Sequence, residues 1–130
     1  MITVDINAKP IQNGKYLGTH LICEYFECDA AVLDDIAAIS EALISAAAKC
    51  GVTVLQKSFH KFSPQGVSGV VVIAESHISI HTWPENNYAA VDFFTCSDIC
   101  DVNIAADYLK KIFKSKKTAY MKIKRGQKDK

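Results

Sequence analysis

The segment VVVIAESHISIHTWPENNYAAVDFFTC, residues 70–96, decides the fold. Residues 70–83 are rich in β-branched and apolar side chains and predict an extended segment that is broken near Glu75. Residues 84–87 predict a turn, and residues 88–96 predict a further strand. Strands that follow one another through tight turns are typical of an antiparallel sheet.

The rest of the chain adds strands and two helices to this sheet. Residues 16–26, 52–62 and 118–124 predict strands, and residues 64–69 predict a turn. Residues 28–51 predict one long helix, with Asp29 as its N-cap and Gly51 at its end. A second helix is predicted over 101–116, with four apolar side chains buried: Ile104, Leu109, Ile112 and Phe113. The predicted fold is therefore α+β: a two-layer sandwich with an antiparallel sheet and two helices packed on one face.

Composition and length fit one domain over residues 1–130. Apolar residues make up 49% of the chain and charged residues 22%, which is ordinary for a soluble globular protein. We find no apolar run long enough to span a membrane and no secretory pattern at the start, so we expect a cytoplasmic protein. Five cysteines are an odd number, which favours free thiols over a disulfide framework.

Basic residues concentrate at the end of the chain. Residues 110–130 contain ten lysines and arginines but one acid, Asp129. Such a segment can contact nucleic acid, although a solvated helix face followed by a frayed end explains it more simply. No recognisable nucleic-acid module accompanies it, so binding of nucleic acid is not expected.

Reactive side chains crowd residues 75–96 and allow two interpretations from the residues alone. His77 and His81 are four apart, as are Cys96 and Cys100, so the four side chains are a possible zinc set. A domain of this size needs no zinc to fold, and we expect no metal. The alternative is a plain core, in which a histidine is hydrogen-bonded and a cysteine is a small apolar group. We expect that environment for His77, Cys100 and the remaining cysteines: Cys23, Cys28 and Cys50.

A family resemblance accounts for the cluster better than either interpretation. The stretches ESHISIHTWPE (75–85), YAAVDFFTC (88–96) and HKFSPQGVSG (60–69) resemble the prokaryotic S-adenosylmethionine decarboxylase proenzymes. The resemblance runs from about Leu17 to Leu109. Members of this family cleave themselves before a serine and convert that serine to a pyruvoyl group. Here the resemblance implies cleavage between Glu75 and Ser76, giving a β chain of residues 1–75 and an α chain of residues 76–130.

The resemblance also implies the role of each processing residue. The hydroxyl of Ser76 would attack the carbonyl of Glu75, and elimination from residue 76 would then release the β chain. His81 matches the base that removes the α-proton, and Ser68 matches a serine that assists the acyl shift. The pyruvoyl carbonyl would form a Schiff base with the substrate amine and act as an electron sink. Cys96 matches the donor that protonates the substrate carbon after carbon dioxide leaves.

Substrate contacts follow from the same resemblance. Phe62 matches a position that stacks on adenine, and Trp83 and Glu85 lie in the motif, where Glu85 would accept hydrogen bonds from the ribose hydroxyls. The chain reads TCS where the family commonly reads Thr-Cys-Gly, so Ser97 stands in the place of a glycine. The activity implied is decarboxylation of S-adenosylmethionine for spermidine biosynthesis. Some relatives decarboxylate arginine or another basic amino acid, and the self-processing motif does not separate the two activities.

The spacing of Ser76 and His81 bears on assembly. Five residues of straight strand span roughly 16 Å, which is beyond hydrogen-bond reach. The chain must therefore bend sharply, or His81 must serve the Ser76 of another subunit. We expect a homo-oligomer of processed α and β chains, a dimer in which Ser76 and Cys96 of one protomer meet Ser68 and His81 of the other.

Overall fold

A seven-stranded sheet forms one layer of the molecule. The computed structural model describes residues 3–5, 16–96 and 101–127. The strands are β1 (Thr3–Asp5), β2 (Tyr16–Phe26), β3 (Val54–Lys61), β4 (Val67–Ile73), β5 (Ser76–Trp83), β6 (Tyr88–Thr95) and β7 (Lys117–Gln127). Their order across the sheet is β1-β7-β2-β6-β5-β4-β3. Every neighbouring pair is antiparallel except β1 and β7, which are parallel.

Three helices cover one face of this sheet: α1 (Ala30–Leu33), α2 (Ile36–Lys49) and α3 (Val102–Phe113). The strands turn alternate side chains toward the helices, because successive residues of a strand point to opposite faces. The core between the layers is fully buried and includes Tyr25, Ile80, Leu43, Leu109 and Phe113. The hydroxyl of Tyr25 donates to the carbonyl of Ala106 at 2.7 Å, which ties β2 to α3. The predicted two-layer α+β sandwich is confirmed.

The predicted single helix over 28–51 is wrong, because two aspartates each begin a helix. Asp29 accepts hydrogen bonds from the backbone N–H groups of Ala31 and Val32, and Asp35 accepts from Ala38. An aspartate that accepts such bonds has extended backbone and cannot continue the preceding helix. The chain therefore turns at residues 34–35 and forms α1 and α2 instead of one long helix.

Further details of the sequence prediction also need correction. Ile104 is 51% exposed rather than buried, because α3 buries the neighbouring stripe formed by Val102, Ala105, Ala106, Leu109 and Phe113. The predicted turn over 64–69 is shorter, since β4 already begins at Val67. Strand β1 was not predicted.

Among the cysteines that the structure describes, one departs from the expectation of free thiols. Cys23, Cys28 and Cys96 are free, but Cys50 is disulfide-bonded. Cys23 and Cys28 are buried free thiols, as the plain-core interpretation predicts, whereas Cys50 is buried but bonded to another cysteine. Cys100 lies outside the described residues. Among the described helices, none is both long and apolar enough to cross a membrane.

Candidate active site

The β4–β5 hairpin contains the predicted cleavage position at its tip. Ile73 pairs with Ser76, so Ala74 and Glu75 alone form the connection. Glu75 is exposed and has a φ of 58°, a left-handed conformation that costs a side-chain-bearing residue about 1–3 kcal/mol. The peptide bond between Glu75 and Ser76 therefore follows a strained residue in a tight, solvent-accessible turn.

Ser68 and His81 meet on the same hairpin, away from its tip. They are paired residues of β4 and β5, and Ser68 Oγ lies 2.8 Å from His81 Nδ1. His81 is exposed, on the sheet face opposite the helices. If Nδ1 of neutral His81 accepts a hydrogen bond from the serine hydroxyl, Nε2 carries the proton. If Nδ1 carries the proton and donates to the serine oxygen, Nε2 is free to act as a base.

Ser76 and Cys96 lie at the other end of β5. Ser76 pairs with Thr95 of β6, and Cys96 follows at the bend after that strand. Ser76 is half-buried, and the alternation of β5 puts it on the side of Ile78, the face that the helices cover. Straight strand geometry separates the row of Ser76 from the row of His81 by roughly 16 Å. Within one chain, Ser68 therefore lies beside His81, and Ser76 lies at the end of β6 that leads to Cys96. These two pairs of residues are at opposite ends of β5 and do not meet.

The free thiols differ in their surroundings. Burial raises the pKa of Cys28 to about 11 and also raises the pKa of Cys23 far above its ordinary range. Both thiols stay protonated and shielded at neutral pH. Cys96 is exposed. Of the three described free cysteines, Cys96 is the one that a small molecule can reach.

The predicted substrate contacts are accessible on the surface. Trp83 is 40% exposed, and its ring lies 6.2 Å from that of His81. Phe62 is 46% exposed, follows β3, and packs edge-on against His60 at 4.5 Å. Glu85 is exposed in a 3-10 helix, Pro84–Asn86, directly after Trp83. Ser97, which stands for the family glycine, lies outside the described residues.

The structure adds residues to this site that the sequence pattern did not identify. Tyr88 packs 5.4 Å from both Trp83 and Phe26, and its hydroxyl donates to both carboxylate oxygens of Glu24, at 2.6 and 2.7 Å. Residues 24 and 26 are on β2, more than sixty positions away in the sequence. The alternation of EYF (24–26) indicates which of them share a face, but the register with β6 is needed to find their neighbours.

The proposed metal ligands do not assemble within the described residues. No group of three or more histidines, cysteines or acids there could hold a metal ion. His77 and His81 do share the sheet face opposite the helices, here called the open face, but the ring of His77 stacks on that of Phe94, with centroids 5.8 Å apart. Cys100 lies outside the described part of the chain.

Comparison with known proteins shows the family and the fold. The family model described as S-adenosylmethionine decarboxylase matches residues 19–126. The S-adenosylmethionine decarboxylase proenzyme of Fervidobacterium nodosum is 53% identical over 115 residues, which are 88% of this chain and 84% of that protein. Its counterpart from Thermotoga maritima is 48% identical, over 88% of both chains. The crystal structure of the adenosylmethionine decarboxylase from Aquifex aeolicus superposes with a TM-score of 0.83 at 34% identity, covering 90% of this chain and 97% of that one. The chain therefore belongs to the S-adenosylmethionine decarboxylase family.

Proposed function

We propose that this protein is a self-processing, pyruvoyl-dependent S-adenosylmethionine decarboxylase, a carboxy-lyase that supplies decarboxylated S-adenosylmethionine for spermidine biosynthesis. The observation that carries the proposal is the strained two-residue turn at Glu75, in a chain whose relatives are named proenzymes. Cleavage there divides the protein into a β chain of residues 1–75 and an α chain of residues 76–130.

Processing begins with the hydroxyl of Ser76. Its oxygen attacks the carbonyl carbon of Glu75, the C–N bond breaks, and the freed nitrogen takes a proton, leaving an ester. A base then removes the α-proton of residue 76, and elimination expels the β chain as a carboxylate. Addition of water and loss of ammonia leave the pyruvoyl group at the start of the α chain. The strain at Glu75 favours the first step, because opening the turn releases it.

Ser68 and His81 are suited to assist these steps as a pair. An imidazole is a common general base and is suited to remove the α-proton. The 2.8 Å contact with Ser68 fixes the ring of His81. The Ser68 hydroxyl is also suited to stabilise the negative charge that develops on the carbonyl oxygen of Glu75.

A pyruvoyl group at residue 76 would supply the electron sink for decarboxylation, because its carbonyl can hold the substrate amine covalently. The residues fit such a group, since Ser76 is the first residue of β5 and cleavage frees its amino end from the turn. Cys96, as an exposed thiol beside the same strand end, donates the proton to the substrate carbon. Phe62, Trp83 and Glu85 bind the adenosine, through aromatic faces for the base and a carboxylate for the ribose.

The two halves of the site come together in a homodimer. The face opposite the helices is the side on which His81 and Trp83 are exposed, and no described helix covers it. When two copies pack this face together across a two-fold axis near the middle of β5, each hairpin runs opposite to the other. Ser68 and His81 of one protomer then lie over the strand end of the partner that carries its Ser76 and Cys96, and Ser76, as the first residue of β5, has to turn from the helix-covered side to meet them.

The competing substrate is arginine or another basic amino acid. The aromatic side chains near His81 favour a purine-bearing substrate, because a short amino acid has no flat ring to stack on them. Carbon dioxide release from S-adenosylmethionine and from arginine by the purified protein decides between them. We expect turnover of S-adenosylmethionine alone, abolished in Ser76→Ala. Turnover of arginine with none of S-adenosylmethionine would contradict the assignment.

A further inference from the structure

One row of residues crosses the open face of the sheet at the level of His81. Strand register aligns Ser68, His81, Ala90, Glu24 and Ala119 across β4, β5, β6, β2 and β7. Ala90 is the residue between His81 and Glu24, and its side chain is a single methyl group. Two inter-strand spacings put the backbones of His81 and Glu24 about 10 Å apart. The row therefore contains a notch above Ala90, with an imidazole on one side and a carboxylate on the other.

Glu24 is held in place at this notch but forms no ion pair with any other described residue. The Tyr88 hydroxyl donates to both of its carboxylate oxygens, and Glu24 is half-buried. Burial and the hydrogen bond to Glu24 raise the pKa of Tyr88, which keeps that hydroxyl a donor. The ion pairs among the described residues join His20 to Asp92, Lys61 to Asp34 and Lys114 to Asp29, so none includes Glu24. A half-buried carboxylate without a counter-charge is unfavourable, and a cationic ligand would offset this cost.

The neighbouring row supplies a surface suited to a cation without hydrogen-bond donors. Trp83, Tyr88 and Phe26 are consecutive neighbours there, with ring centroids 5.4 Å apart in both contacts. Lys117 is already positioned over the Phe26 ring, 5.7 Å from its centroid. Aromatic faces attract soft, poorly hydrated cations. A carboxylate beside such a row fits a cation whose charge is spread over alkyl groups, such as an onium centre.

We propose that Glu24, held by Tyr88, is the counter-charge for the sulfonium centre of the substrate and determines the preference for a charged sulfur. This inference rests on the proposed function. A pyruvoyl group at residue 76 would engage the substrate amine, so the sulfonium is the positive charge that remains for the rest of the site to recognise. Because that charge is the same in the ground state and in the transition state, Glu24 contributes to binding and not to the chemical step.

The test compares charged and neutral sulfur in three purified variants. Glu24→Gln removes the charge at nearly constant shape, Tyr88→Phe removes the hydroxyl that holds Glu24, and Glu41→Gln makes the same chemical change on an exposed position of α2. KM and kcat are measured for S-adenosylmethionine, and the inhibition constant for the neutral thioether S-adenosylhomocysteine. Intact mass of each protein reports its cleavage, and sedimentation reports its oligomeric state.

For Glu24→Gln we expect KM to rise about tenfold, with kcat and the thioether inhibition constant within about twofold of wild type. Tyr88→Phe should shift KM the same way by a smaller factor, and Glu41→Gln should leave all three constants unchanged.

An unchanged KM in Glu24→Gln, or an equal rise in its KM and in its thioether inhibition constant, would overturn the proposal. Dissociation of the Glu24→Gln protein into monomers would also overturn the proposal, because it would mean that the carboxylate binds the partner subunit and not the substrate. Wild-type protein that neither cleaves nor turns over S-adenosylmethionine would instead remove the proposed function itself.

Discussion

Glu75 is the residue whose conformation bears most directly on self-cleavage. Its φ of 58° is left-handed, and the residue has a side chain that disfavours that region. Glycine adopts the same φ without this cost. Substitution at this position therefore separates the strain from the nucleophile, which remains Ser76.

Glu75→Gly should slow cleavage and stabilise the uncleaved protein by about 1 kcal/mol. The cleavage rate is followed by intact mass, and stability is measured by denaturant unfolding in a Ser76→Ala background. Glu27→Gly is the matched control, since Glu27 is exposed, has a φ of 54° and is far along the chain from the scissile bond. It should stabilise the protein without slowing cleavage. Cleavage of Glu75→Gly at the wild-type rate would show that strain contributes nothing.

Cys96→Ser should separate the two reactions of the site. A serine hydroxyl is a much weaker acid than a thiol, so we expect decarboxylation to fall by about 100-fold or more while cleavage at Ser76 continues. Carbon dioxide release and intact mass measure the two reactions on the same sample. Cys28→Ser, at a buried thiol outside the site, is the control for turnover. A Cys96→Ser protein with wild-type turnover would assign the proton to another group.

At the scale of the elements, Asp34 connects the helical layer to the loop before β4. Its carboxylate accepts from the backbone N–H of Gly66 at 2.9 Å and lies 2.9 Å from Nζ of Lys61. These contacts hold the segment between Phe62 and Ser68, which are both proposed site residues. The helix break that sequence periodicity missed therefore positions a residue that supports the site.

The stability contribution of Asp34 should depend on pH. The Gly66 N–H and the Lys61 ammonium lower the pKa of Asp34 below its ordinary value of about 3.9. Because the folded pKa is the lower one, the contribution is complete above the unfolded pKa and is lost as pH falls through the folded pKa. Asp34→Asn should lower Tm at pH 7, with a smaller difference at pH 3. Asp35→Asn, which keeps an oxygen to cap α2, is the control. An Asp34→Asn difference that is equal at both pH values would contradict the ion-pair account.

Much of this fold follows from local sequence patterns. Six of the seven described strands and helix α3 are predictable because alternation and helical spacing are local properties. The break between α1 and α2 was missed because Asp34 and Asp35 sit in an apolar pattern that continues across them. Ile104 was misplaced because an apolar residue at a helix edge satisfies the periodicity without facing the core. Strand β1 is three residues long and has no pattern to detect.

At the scale of the whole molecule, the candidate site follows from the sequence only in part, because its contacts join residues that are far apart in the chain. The family motif proposes Ser68, Ser76, His81 and Cys96 as site residues, but the contact of Ser68 with His81 depends on the hairpin register. Glu24 and Tyr88 meet across 64 positions of sequence, and no local pattern connects them. Whether one protomer completes the site depends on assembly, since the two ends of β5 lie roughly 16 Å apart.

Mixed dimers test whether two subunits share each site. Ser76→Ala and His81→Ala should each stay uncut alone. In a heterodimer formed by co-expression, one of the two sites contains both substitutions. The other site contains the intact Ser76 of the His81→Ala chain and the intact His81 of the Ser76→Ala chain. We expect α chains with the mass of the His81→Ala variant to appear. Their absence from verified heterodimers would place Ser76 and His81 in the same subunit.

Self-cleavage is the central claim, and intact mass spectrometry of the purified protein beside Ser76→Ala tests it most directly. We predict that the 14.3 kDa wild-type chain separates into two fragments divided between Glu75 and Ser76. The fragment that begins at residue 76 should have a blocked amino terminus, and Ser76→Ala should remain whole. A wild-type chain that is still intact after prolonged incubation would contradict the account.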